Sequence, residues 1–171
     1  MKLFSFLSLL AMGLLAFGQS AAAVTKIRIT MQLPITSPLS QNLVRFKEKI
    51  EVESNGDLVV EIYPAAQLFT DKEVPAAVAS GQIEMGSSSL LRFAGTIPAV
   101  DVFSVPFLFN SIELVQAATD PDSKIRRLID KAMADKGARP LWWQPYGLTV
   151  LLTRDKPVTH PDHMKGLKIR T

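Results

Sequence analysis

Few side chains in this sequence are equipped for chemistry, and most of those suit binding rather than bond-making. Arg170 is the best candidate to hold an anion, because a guanidinium offers two parallel N–H donors to a carboxylate and stays charged at any pH. On spacing alone it also reads as an ordinary strand-end surface arginine. Gln32 follows the first predicted strand and precedes the first helix start, and ligands of α/β sheets bind beyond the carboxyl ends of strands. It reads equally well as a solvated loop glutamine. Asp71 could accept ligand hydroxyls, although an aspartate at a predicted helix start is favoured simply as a cap or first-turn charge. Ser87, Ser88 and Ser89 follow a third predicted strand, so their hydroxyls could face the same crevice, or could be loop serines only.

Catalytic and metal constellations are absent from the pattern. There is no cysteine among the 171 residues, which removes disulfides, thiolate zinc sites and cysteine nucleophiles together. The two histidines, His160 and His163, flank Pro161-Asp162 in a predicted turn, where nothing nearby supplies a third metal ligand. No G-x-S-x-G, Walker loop or H-E-x-x-H occurs, so no cofactor is implied. Lys+Arg 19 against Asp+Glu 16 leaves a net charge of +3, too balanced for a nucleic-acid partner. Trp142-Trp143 would point to opposite faces of an extended segment, which places at most one in a cleft and favours packing.

The elements that must position these groups alternate strand and helix. The run 26–31 (KIRITM) alternates with period two, as a half-buried strand does. Ser37 and Pro38 fit a helix cap and first helical position, and Leu39, Leu43, Phe46 and Ile50 share one helical face. Asn55-Gly56 stops that helix, and 58–63 is a β-rich run closed by Pro64. A short helix over 71–80 ending at Gly81 and a short strand over 83–86 follow. A helix over 123–136 carries Ile125, Leu128, Ile129 and Met133 on its apolar face, with Arg126, Arg127 and Lys131 on its solvated side. Residues 141–153 read as one long extended stretch interrupted by Pro145 and Gly147, and 166–171 begins a further strand. The alternation predicts βαβ units and an α/β sheet with helices on its faces.

Residues 1–23 read as an address. Lys2, the apolar run 3–17 and Ala21-Ala22-Ala23 form a secretory signal peptide, with cleavage expected after Ala23. The alternative, a membrane anchor, would need about 20 apolar residues. Export without cysteines points to a bacterial periplasm. An alternating run at the end, with no turn or polar tail, gives the expectation that the sequence is an N-terminal fragment.

Five stretches together resemble the periplasmic solute-binding subunits of tripartite ATP-independent periplasmic (TRAP) transporters, of the dicarboxylate-binding type. They are 26–34 (KIRITMQLP), 54–68 (SNGDLVVEIYPAAQL), 80–86 (SGQIEMG), 105–109 (VPFLF) and 156–170 (KPVTHPDHMKGLKIR). The resemblance implies a two-lobed periplasmic-binding-protein-like fold, with mainly the first lobe (24–145, βαβ units in a mixed sheet) and the start of the second (146–171) present. The lobes would close by hinge motion on a small organic acid and deliver it to a permease driven by an ion gradient. It also implies that 141–153 contains the crossing strand, that Arg170 pairs with the ligand carboxylate, and that Gln32 and Ser89 match contact positions. Thr149 stands where many relatives carry a second arginine, which favours a monocarboxylate such as a keto or sugar acid. Alternatives are a receptor for another importer or a sensor, or a secreted α/β hydrolase using Asp71 or a serine of 87–89.

Overall fold

The computed structural model describes residues 23–147, 151–155 and 157–168. Its centre is a three-stranded parallel sheet in the order β2-β1-β3, formed by β1 (Thr25–Thr30), β2 (Leu58–Tyr63) and β3 (Met85–Gly86). Helix α1 (Pro38–Glu53) makes the crossover from β1 to β2, and α2 (Val74–Ala79) the crossover to β3. A 3-10 turn at Leu90–Phe93, a second at Pro98–Ser104, and helices α3 (Ile112–Thr119) and α4 (Lys124–Ala134) complete the main body. Where a mixed sheet was expected, every pairing among the described strands is parallel.

β1 is central, and this changes its burial from the expected alternation. Ile29, Thr30 and Met31 are all buried, because a middle strand of a parallel sheet is covered on both faces. Ile29, Met31 and Val60 pack against Leu43 of α1, with Phe46 and Ile50 closing the side, as the helical face predicted. The outer edge of β2 is covered by α1: Val60 N–H donates to Glu51 Oε1 (2.7 Å) and Lys47 Nζ donates to the Val60 carbonyl (2.7 Å). The Lys47 ammonium and the Val60 amide hold the Glu51 carboxyl below its ordinary range. An edge strand is thereby blunted by side chains instead of another strand.

Ser37 occupies the cap position of α1 with extended backbone but makes no side-chain cap bond; buried Ser40 donates to the Pro34 carbonyl instead (2.7 Å). Asn55 and Gly56 end the helix with positive φ (50° and 85°), and Gly56 N–H reaches the Glu51 carbonyl at 3.1 Å. The second helix is shorter than the 71–80 expected. Its cap is Glu73, whose carboxylate takes the Thr70 amide and hydroxyl, so Asp71 lies before the helix and does not cap it. The third strand pairs only at Met85 and Gly86.

A second core lies around the 3-10 turn at Pro98–Ser104 and α4, built from Ile97, Val100, Ile129 and Met133. Here two expectations fail. Leu128 is exposed, whereas Arg126, assigned to the solvated side, is buried. Arg126 bonds Asp130 (2.8 Å) and the Thr119 carbonyl (2.9 Å) and lies 4.9 Å from the Trp143 ring centre. Aromatic and carboxylate partners make the buried charge tolerable, which periodicity cannot reveal. Helix α3, capped by Ser111 accepting from the Leu114 amide, had no counterpart in the sequence reading.

Residues 141–147 and 151–153 form no strand, contrary to the long extended stretch expected. Pro140, Pro145 and Gly147 (φ 122°) break a ladder, and side chains fasten the segment instead. Trp142 packs on Phe46 of α1 (ring centres 5.3 Å apart) and Gln144 accepts from Asn42 (2.9 Å). Trp143 turns the other way, to Phe103 (5.8 Å) and to Asp130 Oδ1 (3.0 Å). The adjacent tryptophans thus serve packing on opposite sides. Residues 1–22 of the expected leader, Thr149, Arg170 and the strand end at 169–171 lie outside the described residues.

Candidate functional site

Because the strands are parallel and in register at Thr30, Tyr63 and Gly86, their carboxyl ends emerge at one edge. The chain leaving each strand there carries a candidate residue: Gln32 after β1, Asp71 after β2, and Ser87 to Ser89 after β3. Backbone bonds tie these exits together. Met31 N–H donates to the Tyr63 carbonyl (3.0 Å), Ala66 N–H to the Met31 carbonyl (2.8 Å), and Ser87 N–H to the Thr30 carbonyl (2.9 Å). The buried Thr30 hydroxyl sits 3.3 Å from both the amide and the carbonyl of Phe69, and Gln32 Nε2 donates to that same carbonyl at 3.3 Å.

Asp71 is the hub of this edge. Its Oδ1 accepts from the Ser89 amide (2.8 Å) and the Ser88 hydroxyl (3.0 Å), and its Oδ2 accepts from Arg92 Nε (2.6 Å). The carboxylate thus pins the start of the Leu90–Phe93 turn to the loop after β2. Gly86 permits this closeness: a Cβ there would overlap Val74 Cγ1, so only glycine lets α2 lie directly on β3. Arg92 escaped the sequence reading, and its signal was weak, since nothing in the local pattern pairs it with a residue 21 positions earlier.

Gln32, Asp71 and the three serines all border a cavity of about 1030 Å³, which runs between the sheet edge and the segment 137–147. That is large enough for a small-molecule ligand. Its remaining walls are mainly apolar, including Met31, Leu90, Phe93, Trp142 and Trp143. Glu84 also borders it and is occupied by Arg28, which donates to both carboxylate oxygens (2.8 and 2.9 Å). That guanidinium, with the Arg28 amide, holds the Glu84 carboxyl down at about 2. Among the described residues no hydrogen bond links the serines to a histidine. His160 and His163 lie together in the turn at Pro161–Met164, bonded to Asp162 and Thr159. The edge offers donors and acceptors around a cavity, and the Asp71 carboxylate that meets the Ser88 hydroxyl is shared with the Ser89 amide and Arg92, an arrangement suited to complementarity.

Residues 29–171 match the family DctP, described as bacterial extracellular solute-binding protein, family 7. The chain is 28% identical over 159 residues to the 2,3-diketo-L-gulonate-binding periplasmic protein YiaO of Escherichia coli K12, covering 93% of this chain and 48% of that one. It is 31% identical over 135 residues to the C4-dicarboxylate-binding periplasmic protein DctP of Rhodobacter capsulatus, covering 78% and 40%. Among solved structures, a TRAP periplasmic solute-binding protein of Chromohalobacter salexigens with bound D-glucuronate superposes with a TM-score of 0.76 at 25% identity, over 82% of this chain and 46% of that one. The chain therefore spans about half the length of the relatives it matches. These relatives are solute-binding receptors, not enzymes, and the fold they share is the α/β architecture described above.

Proposed function

The chain belongs to the bacterial extracellular solute-binding proteins of family 7, and from that premise we propose that it is the receptor half of a TRAP transporter, capturing a small organic acid outside the cytoplasmic membrane. The observation that carries this reading is the gathering of Gln32, Asp71 and Ser87 to Ser89 on one wall of the cavity at the carboxyl edge of the sheet. In this reading residues 1–23 are a cleaved export signal. Residues 24–145 make the first lobe, and 146–171 are the connection and the start of a second lobe. None of the described helices is long and apolar enough to cross a membrane. Delivery goes to membrane permease subunits that use an ion gradient.

Arg170 supplies the carboxylate clamp in this proposal, with Thr149 in place of a second arginine favouring a monoacid. Removing a clamp in a closed cleft strands the ligand charge and costs ~2–5 kcal/mol, about 30-fold to a few thousand-fold in affinity. Calorimetry of the complete reading frame against a panel of keto, sugar and dicarboxylic acids tests it. One-to-one binding that Arg170→Ala abolishes supports the proposal; an Arg170→Ala protein that binds as tightly as the parent removes the clamp.

A further inference from the structure

Ala23, the last residue of the expected leader, is separated from the first strand by Val24 alone, because β1 begins at Thr25. Resting on the reading of residues 1–23 as a cleaved leader, we propose that the cut after Ala23 must come before β1 is laid into the sheet, so that a precursor that folds first keeps its leader.

Burial does not impose this order, since Ala23 and Val24 are both exposed. The length of free chain does. A protease that takes its substrate as an added strand needs several extended, unpaired residues on both sides of the bond it hydrolyses. On the mature side one residue, Val24, precedes the pairing. Thr25 N–H donates to the Asp57 carbonyl (2.8 Å), and Thr25 to Thr30 run in register with Leu58 to Tyr63. From Ala23 to the first paired residue, two residues of extended chain span about 7 Å at most. The neighbouring strand β2 lies roughly 5 Å from β1, so the fold stands where an enzyme cleft would have to close around the chain.

Fraying from the start of β1 relieves this only in part. Thr25 and Lys26 are exposed, and Lys26 is tied at the surface to Glu61 (2.7 Å), a weak hold. Arg28 is gripped more firmly. Its amide N–H and its Nε both donate to Glu84 Oε2 (2.9 Å each), and its Nη2 donates to Glu84 Oε1 (2.8 Å) and to the Gln82 carbonyl (2.9 Å). Behind it Ile29, Thr30 and Met31 are buried. Opening up to Arg28 frees Val24 to Ile27, and opening further dismantles the sheet at its middle strand. The folded precursor is therefore cut through its opened fraction alone. In the step itself water adds across the Ala23–Val24 amide, leaving a carboxylate on the leader and an ammonium on Val24. A membrane-bound signal peptidase supplies the catalytic groups.

The experiment is digestion of the precursor of the complete reading frame by purified signal peptidase in phospholipid vesicles. Mass spectrometry locates the cut, and near-ultraviolet circular dichroism reports folding. Three precursors are compared. One is the parent; the second carries a Gly-Ser linker of about six residues between Val24 and Thr25, roughly 20 Å when extended. The third is Ile29→Asp, in which a charge placed in the core unfolds the sheet. The folded parent should be cut about 10- to 100-fold more slowly than either of the others. Equal rates for all three overturn the inference and leave the leader reading intact. So does a linker precursor as slow as the parent beside a rapidly cut Ile29→Asp, since reach is then not what limits the cut. A cut at another bond, or none in any precursor, removes the leader reading and the inference with it.

Discussion

Gly86→Ala is the sharpest probe of how the carboxyl edge of the sheet is held. The added Cβ would overlap Val74 Cγ1 and lie 3.5 Å from both Thr30 Cγ2 and Val78 Cγ2. Val74 and Thr30 are buried, and a β-branched valine has no easy alternative rotamer, so α2 must move off β3. Overpacking of this kind costs about 1–3 kcal/mol. With a urea slope of about 2 kcal/mol/M, a 2 kcal/mol loss lowers the unfolding midpoint by about 1 M. Val74→Ala alone should cost about 2 kcal/mol through two lost methyl groups and the space they leave. The double variant should be no less stable than Val74→Ala, because the missing methyls make room for the new Cβ, and the two effects should fail to add by at least about 1 kcal/mol. Urea denaturation of the four proteins gives the answer. An unchanged midpoint for Gly86→Ala, or strictly additive losses, would refute the claim that helix and strand touch here.

Two further outcomes follow from the charged clusters. Asp130→Ala removes the partner of buried Arg126 and of the Trp143 indole, and should cost about 3 kcal/mol; Arg126→Met, which removes the charge and fills the space, should cost clearly less in the same thermal melts. The Glu84 carboxyl, lowered by Arg28 from 4.5 to about 2, stabilises the fold above pH 4.5 and loses that contribution as pH falls toward 2. The melting-temperature advantage over Glu84→Gln should therefore be full at pH 6 and vanish near pH 2, and a pH-independent difference would rule the linkage out.

The sheet and its first two crossovers were legible because their signals are local. Asn55-Gly56 stops α1, Pro64 closes β2, and the apolar face through Leu43 packs where its period points. Parallel pairing then delivers Gln32, Asp71 and the serines to one edge, which the rule for α/β sheets anticipates. Long-range partners were the illegible part. Asp71 reads as a helix cap until Ser88, Ser89 and Arg92 are brought to it, and Arg126 reads as solvated until Trp143 and Asp130 cover it. Breakers were misjudged as well: Pro140, Pro145 and Gly147 did not merely interrupt a strand, since side-chain anchors on α1 and α4 replace the ladder. Helix α3 is short and starts on a lone serine cap, a signal too common to stand out.

An amide-resolved NMR titration of the complete reading frame with D-glucuronate tests most directly whether the carboxyl edge of the sheet is the binding wall. Saturable shifts should appear at Gln32, Asp71 and Ser87 to Ser89 together, with Arg92 Nε–H following them. Saturable shifts confined to the turn at Pro161–Met164 or to α3, with those edge amides unmoved, would place binding elsewhere and contradict the account.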